Sequence, residues 1–275
     1  MSTTNSADKN PDLSKERGGF CCQIHGDDLQ EFFKPFAAFV DEMKLQITQD
    51  GFKGRVVDPA NVAMVDKSLS NQGLFEHYSS TGGTLGINLN KMTSIIGMAK
   101  KSDLIELELD QETRKLEIYF DGLSYTLALI DPNSIRQEPD IPDLDLPGRI
   151  VVDAEHLIRG IKASRMVSDH ILLGIKPGEN GSPIVYAVGE GDTDDAELEL
   201  TENDYIEVDH VEETHESLYS IDYLEDVVKA IPKKARLTLD LGSDYPLMIH
   251  YNQKDEKGVA EGPTTHMIAP RISSD

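Results

Sequence analysis

The carboxylates of Asp192, Asp194 and Asp195 stand almost side by side, with His210 and His215 further along the chain. Clustered carboxylates can hold Mg²⁺, and Mg²⁺ serves phosphoryl chemistry, so one reading is a Mg²⁺-dependent phosphoesterase. Composition offers the competing reading. The chain carries 50 Asp and Glu in 275 residues, so a run of three acids is what a solvated surface loop would hold anyway. The eight histidines show no ligand spacing on a helix face. There is no Walker loop, no Rossmann glycine fingerprint and no H-E-x-x-H. These patterns predict no catalytic residue, no metal site and no cofactor.

The basic residues are more informative. Positions 88–101 hold Lys91, Lys100 and Lys101 and no acid, and positions 155–167 hold Arg159, Lys162 and Arg165 against Glu155 alone. This concentration occurs in a chain with only 26 Lys and Arg. Positions 222–234 add Lys229, Lys233 and Lys234, offset by Asp222, Glu225 and Asp226. The helix dipole accounts for Lys100, Lys101, Lys233 and Lys234, which fall at helix C-termini. It does not account for Arg159 and Lys162 in mid-helix. A helix face laid against phosphates does, and Lys91, Arg159, Lys162, Arg165 and Lys229 are its expected members.

Hydrophobic periodicity supplies the elements that would hold these residues. Leu29, Phe32, Phe33, Phe36 and Val40 recur at helical spacing after Asp27 and Asp28, and Pro35 is expected to kink that helix or mark a late start. Further helices are predicted at 88–100, 155–167 and 222–231. Alternation predicts strands at 20–24, 43–48, 54–58, 104–109, 115–120, 125–130, 150–153, 171–175, 184–188, 196–200, 237–241 and 247–251. Asp58-Pro59 and Asp121-Gly122 mark turns.

The pattern occurs twice. A shift of 132 lays Leu89, Met92, Ile95, Ile96 and Ala99 on Ile221, Leu224, Val227, Val228 and Ile231, and Ile105, Leu107 and Leu109 on Leu237, Leu239 and Leu241. A shift of 128 lays Leu29 and Phe33 on Leu157 and Ile161, Asp41 on Asp169, and Met43, Leu45 and Ile47 on Ile171, Leu173 and Ile175. Two ordered matches indicate an internal duplication. Between the copies lies the stretch 131–149, with Pro132, Pro139, Pro142 and Pro147 among the chain's 13 prolines. Such a segment is neither helix nor central strand; it reads as a semi-rigid connector with Ile135, Ile141, Leu144 and Leu146 to lay on a surface. The expected division is a disordered tail at 1–19, domains at 20–130 and 150–275, and the connector between them.

The formal charge of −24 suggests a chain adapted to high salt, where the Debye length falls to about 3 Å at 1 M. It argues against simple electrostatic capture of nucleic acid at low salt. Cys21 and Cys22 are the only cysteines, and adjacent cysteines rarely pair, so a reducing, cytoplasmic setting is expected. No run of 18 apolar residues predicts a membrane span, and the first 18 residues lack the apolar region of a secretory signal.

Several long, ordered stretches resemble a known family. They are VDPANVAMVD at 57–66, GLSYTLALIDPNSIRQEPDIPDLDLP at 122–147, MVSDHI at 166–171, EGDTDD at 190–195 and IAPRI at 268–272. From residue 20 onward the chain resembles sliding clamps of the proliferating cell nuclear antigen type, above all the halophilic archaeal ones. The resemblance implies an α+β fold of two similar clamp domains per subunit, each with outer antiparallel sheets and two inner helices. It implies a homotrimeric, head-to-tail ring around duplex DNA, without catalysis, placed by an ATP-driven clamp loader at the nucleoid. Such a ring tethers DNA polymerase and other replication and repair proteins that carry clamp-binding peptides. The family motifs place a peptide pocket at Val57, Asn61, Val62, Met64, Ile141, Pro142, Pro246, Ala269 and Pro270. They place the subunit junction at Lys115, Leu116, Ile118 and Phe120 of one subunit and Ala196, Leu198 and Leu200 of the next. A damage-checkpoint clamp would share this fold as a heterotrimer. The chain departs from the family pattern at Pro35, in its acidic first helix (Asp27, Asp28, Glu31 and Asp41 against Lys34), in the tail 1–18 and at 255–263.

Overall fold

The computed structural model describes residues 19–254, apart from 111, 139 and 143, and residues 260–271. The expected tail, save Gly19, and the greater part of the 255–263 loop lie outside the described residues. The first half runs β1 (Phe20–His25), α1 (Gly26–Ala37), β2 (Glu42–Thr48), β3 (Gly51–Val57), β4 (Ala63–Ser70), β5 (Phe75–Ser80), β6 (Gly83–Asn88), α2 (Leu89–Ile96), β7 (Leu104–Asp110), β8 (Lys115–Phe120) and β9 (Leu123–Ala128). The second half runs β10 (Gly148–Asp153), α3 (Ala154–Arg165), β11 (His170–Lys176), β12 (Ile184–Glu190), β13 (Asp195–Leu200), β14 (Glu207–Val208), β15 (His215–Ser220), α4 (Ile221–Ala230), β16 (Arg236–Leu241), β17 (Leu247–Lys254) and β18 (Ala260–Ile268). The duplication is visible element by element: β1, α1 and β2 reappear 128 residues on as β10, α3 and β11, with the same bounds after the shift. At a shift of 132, α2 and β7 fall on α4 and β16.

Among the described residues, three antiparallel sheets carry four α-helices. Their strand orders are β5-β1-β7-β8-β9, β13-β12-β11-β15 and β14-β10-β16-β17-β18-β4-β3-β2-β6. The last sheet joins the two halves through β18 and β4, paired from Thr264 opposite Lys67 to Ile268 opposite Ala63. Each half has an apolar core, and the second core also takes in Ala63 of β4. In the first, Leu29, Phe32, Phe33 and Phe36 of α1 are fully buried, with the Phe32 ring edge-on to Phe33 at 5.1 Å. In the second, Ile161 of α3 and Leu224 and Val227 of α4 play the same part.

Several expectations need correction. α1 begins at Gly26 and passes through Pro35, so the proline does not delay its start, and Val40 lies beyond its end. The proline has no N–H for the Glu31 carbonyl one turn earlier, and that oxygen is taken instead by Lys67 Nζ at 3.0 Å. α2 stops at Ile96, four residues early, so Lys100 and Lys101 sit in the following turn. Its start is fixed by Asn88, whose side chain accepts from the Lys91 N–H at 2.9 Å. The periodicities do not predict β4, β5, β6, β14, β15 and β18: β4 follows directly on the Asp58-Pro59 turn, β14 is two residues long, and FEHYSS, GTLGIN, HESLYS and AEGPTTHMI lack sustained apolar alternation. β18 tolerates Pro263 because its pairing with β4 begins one residue later, at Thr264.

Candidate DNA-facing layer and partner groove

The four helices form one continuous layer. α2 packs on α1, α1 on α4 and α4 on α3, so the order α2–α1–α4–α3 crosses the boundary between the halves. Lys91, Arg159, Lys162, Arg165 and Lys229 are all exposed on it. Their freedom differs. Arg165 is held by Asp169 at 2.9 Å and Asp222 at 3.0 Å, and Lys229 by Asp226 at 2.9 Å. Lys91, Arg159 and Lys162 form no ion pair with a described residue, so their charge is available to an outside anion.

On the β3–β4 turn, Asp58 organises the groove beside the connector. Its carboxylate is buried and accepts from Val62 N–H at 2.6 Å, Ala63 N–H at 2.7 Å, Ala60 N–H at 2.9 Å and the Tyr223 hydroxyl at 3.1 Å. Burial alone would raise the Asp58 pKa. The four donors outweigh it and hold the carboxyl below its ordinary value. Asn61 completes the turn in the left-handed region, φ 60°, which asparagine tolerates. The connector is fastened to the same turn, since Arg136 donates to the Asp58 carbonyl at 3.1 Å and to the Asn61 side chain. The chain's last described residues return here too, with Ala269 N–H on the Val62 carbonyl at 2.8 Å.

The expected pocket residues divide into two groups. Asn61 and Pro142 are exposed, and Val57, Val62, Ile141, Pro246, Ala269 and Pro270 are half-buried. Met64 is only 2% exposed and pairs with Met267 across β4 and β18, so it packs the sheet rather than lining an open pocket. Of the expected junction residues, Lys115, Leu116, Ile118 and Phe120 lie on β8, which pairs with β7 on one side and β9 on the other. A strand paired on both sides has no edge to offer, and Leu116, Ile118 and Phe120 are buried in the first core. The edge strand beside β8 is β9, where Leu123 and Tyr125 are exposed; β5 is the opposite edge of the sheet. β13, which carries Ala196, Leu198 and Leu200, pairs among the described residues with β12 alone.

The acidic loop has no such support. Asp195 opens β13 and His215 opens β15, at opposite margins of a four-stranded sheet, and the register sets His215 level with Leu200 at the far end of β13. Asp192, Asp194 and His210 are exposed. Among the described residues no group of three His, Cys, Asp or Glu side chains is placed to hold a metal.

Residues 25–126 match the family described as proliferating cell nuclear antigen, N-terminal domain. A DNA polymerase sliding clamp of Halobacterium salinarum is 47% identical over 252 residues, covering 92% of this chain and 98% of that protein. The chain belongs to the DNA polymerase sliding-clamp family. A second such clamp, from Natronomonas pharaonis, is 46% identical over the same length. Among solved structures, A. fulgidus PCNA bound to the C-terminal region of FEN-1 superposes with a TM-score of 0.84 at 30% identity, covering 93% of this clamp and all of that chain. PCNA from Thermococcus kodakaraensis gives 0.81 at 26% identity, covering 92% and 100%.

Within this clamp, sequence reasoning missed Asp58, Arg136 and Tyr223. The Asp-Pro-Ala-Asn turn carried the signal for Asp58, because an aspartate there caps its own turn. Tyr223 and Arg136 come from distant positions and had no local signature. Asp58→Ala strands three backbone N–H groups and is expected to destabilise the clamp by about 2–4 kcal/mol, against about 0.5–1.5 kcal/mol for Tyr223→Phe. The Asp58 contribution belongs to the ionised carboxyl, whose pKa is lowered by folding. It is therefore present above the ordinary carboxylate pKa and is lost as pH falls through the lower folded value. Thermal unfolding of both variants in molar salt, at neutral and acid pH, measures this.

Proposed function

We propose that three copies of this clamp close head to tail into a ring around duplex DNA and tether DNA polymerase and other replication and repair proteins to it. The observation that carries this reading is the unbroken α2–α1–α4–α3 layer, which gathers exposed bases from both halves on one face of an acidic chain. Phosphate contacts from such a face are sequence-blind, as a sliding ring requires. The free edges β9 and β13 support head-to-tail closure, each completing a sheet of the neighbouring copy. The division into domains at 20–130 and 150–275, with a connector at 131–149, follows the two cores. The ring does no chemistry of its own, works in the cytoplasm at the nucleoid, and depends on an ATP-driven loader.

Partner proteins dock by a peptide against Val62, Ile141, Pro246 and Ala269; Val62 and Ala269 are bonded to each other at the Asp58 turn. Half-buried apolar side chains suit a short helical turn with aliphatic and aromatic anchors. Ile141→Ala should weaken a Gln-x-x-Leu-x-x-Phe-Phe peptide by about 1–2 kcal/mol with the melting temperature held, as calorimetry would read. Met64→Ala should instead cost about 2–5 kcal/mol of stability, because it opens a cavity in the sheet. Unchanged affinity in Ile141→Ala would remove the groove assignment.

Escape from an encircling ring needs an opening or a DNA end, not the breaking of strong contacts. Clamp loaded on circular duplex should survive a wash in molar salt and be released when the circle is cut. Equal retention on circular and linear DNA would contradict encirclement.

A further inference from the structure

Where the two halves meet, the sheet face beneath α1 buries five polar side chains: Lys67 on β4, Tyr251 and Gln253 on β17, and Thr264 and His266 on β18. None is more than 3% exposed. Register brings them together, with Thr264 opposite both Lys67 and Tyr251. Lys67 Nζ donates to the Glu31 carbonyl that Pro35 leaves without a helix partner, and lies 6.0 Å from the rings of Phe32 and Tyr251. Gln253 reaches from the second half to the Asp28 carbonyl of α1 at 3.0 Å. Gln253 Oε1 and His266 Nδ1 are buried without a partner among the described residues.

A buried ammonium is costly unless a counter-charge and several acceptors surround it. Here one carbonyl and two ring faces do most of that work. We propose that Lys67 is a proton-responsive latch between the two halves of the clamp: its charged form strains the junction of α1 with β17 and β18, and loss of the proton to solvent tightens it. The neutral amine keeps an N–H for the Glu31 carbonyl, so the contact survives while the buried charge goes. This proposal stands whether or not the chain forms a ring.

The charged and titratable groups facing Lys67 are Asp28 and Glu31 from α1, Tyr251 from β17 and His266 from β18, with Asp27 and Lys34 beside the two acids. Burial brings the Lys67 amine down to about 8 although Glu31 and Asp28 pull it up. Burial and Asp27 raise Asp28 to about 6, and burial with Lys67 lowers His266 to about 3. Burial raises Tyr251. Between pH 8 and 10.5, therefore, Lys67 is neutral in the folded chain and charged in the unfolded one. In that window the unfolded chain still binds the proton that the folded chain has released, so stability rises with pH.

The test is the melting temperature in molar KCl from pH 7.5 to 10 for the unmodified chain, Lys67→Met, Pro35→Ala and the double variant. The unmodified chain should gain about 2–4 °C per pH unit relative to Lys67→Met above pH 8, and a flat difference would overturn the latch. Pro35→Ala returns an N–H to the Glu31 carbonyl, so Lys67→Met should lower the melting temperature less in that background. Should Lys67→Met fail to fold, Pro35→Ala against the double variant gives the same pH readout. Equal losses in both backgrounds, or a double variant that cannot fold, would also count against the proposal.

Discussion

The antiparallel pairing of β18 with β4 is the contact on which the rest of this structure depends. One strand closes the second half and the other lies in the middle of the first, so the nine-stranded sheet needs the whole chain. A polar ladder crosses the junction on one face of that sheet. Arg149 holds Asp240 by two bonds at 2.7 and 2.9 Å, and His250 lies 3.2 Å from Asp240 and 2.9 Å from Thr265. Thr265 stands opposite Asp66, which takes Arg55 at 2.6 Å. Arg149 and His250 outweigh burial and pull the Asp240 carboxyl down to about 2, so Asp240 keeps its charge well into acid. On the other face, Lys67 and Gln253 tie α1 to the same strands. This junction sets α1 beside α4 and thereby makes one layer of four helices.

Charge then works at two scales. Over the whole molecule, −24 keeps copies apart at low ionic strength and is screened in molar salt. Locally, Lys91, Arg159 and Lys162 form no ion pair with a described residue, while Arg165 and Lys229 are shared with neighbouring acids. A layer so constituted attracts phosphate weakly. Weak, sequence-blind attraction suits a ring that holds DNA by topology and must still slide.

Much of the fold was legible in the sequence because both halves obey the same periodicities. The apolar stripe of Leu29, Phe32, Phe33 and Phe36 gave α1, and the 128-residue shift carried it to Leu157 and Ile161 of α3. The prolines of 131–149 signalled a break in the pattern, but not the 3-10 turn at Pro132–Ser134 or the start of β10 at Gly148. Strands such as β5 and β15 were not legible, since their residues are polar and their place is decided by partners far along the chain. The same limit explains the misplaced junction. β8 and β9 both alternate, and only the sheet order shows which of them is the edge. The burial of Met64 and the hold of Tyr223 on Asp58 are tertiary facts that no local motif carries.

Closure of free edges into a ring is the central claim, and molar mass in solution tests it most directly. Light scattering in molar KCl should give three times the 30.5 kDa of the single chain. A mass of one chain under those conditions, at concentrations well above those of the DNA experiments, would contradict the account.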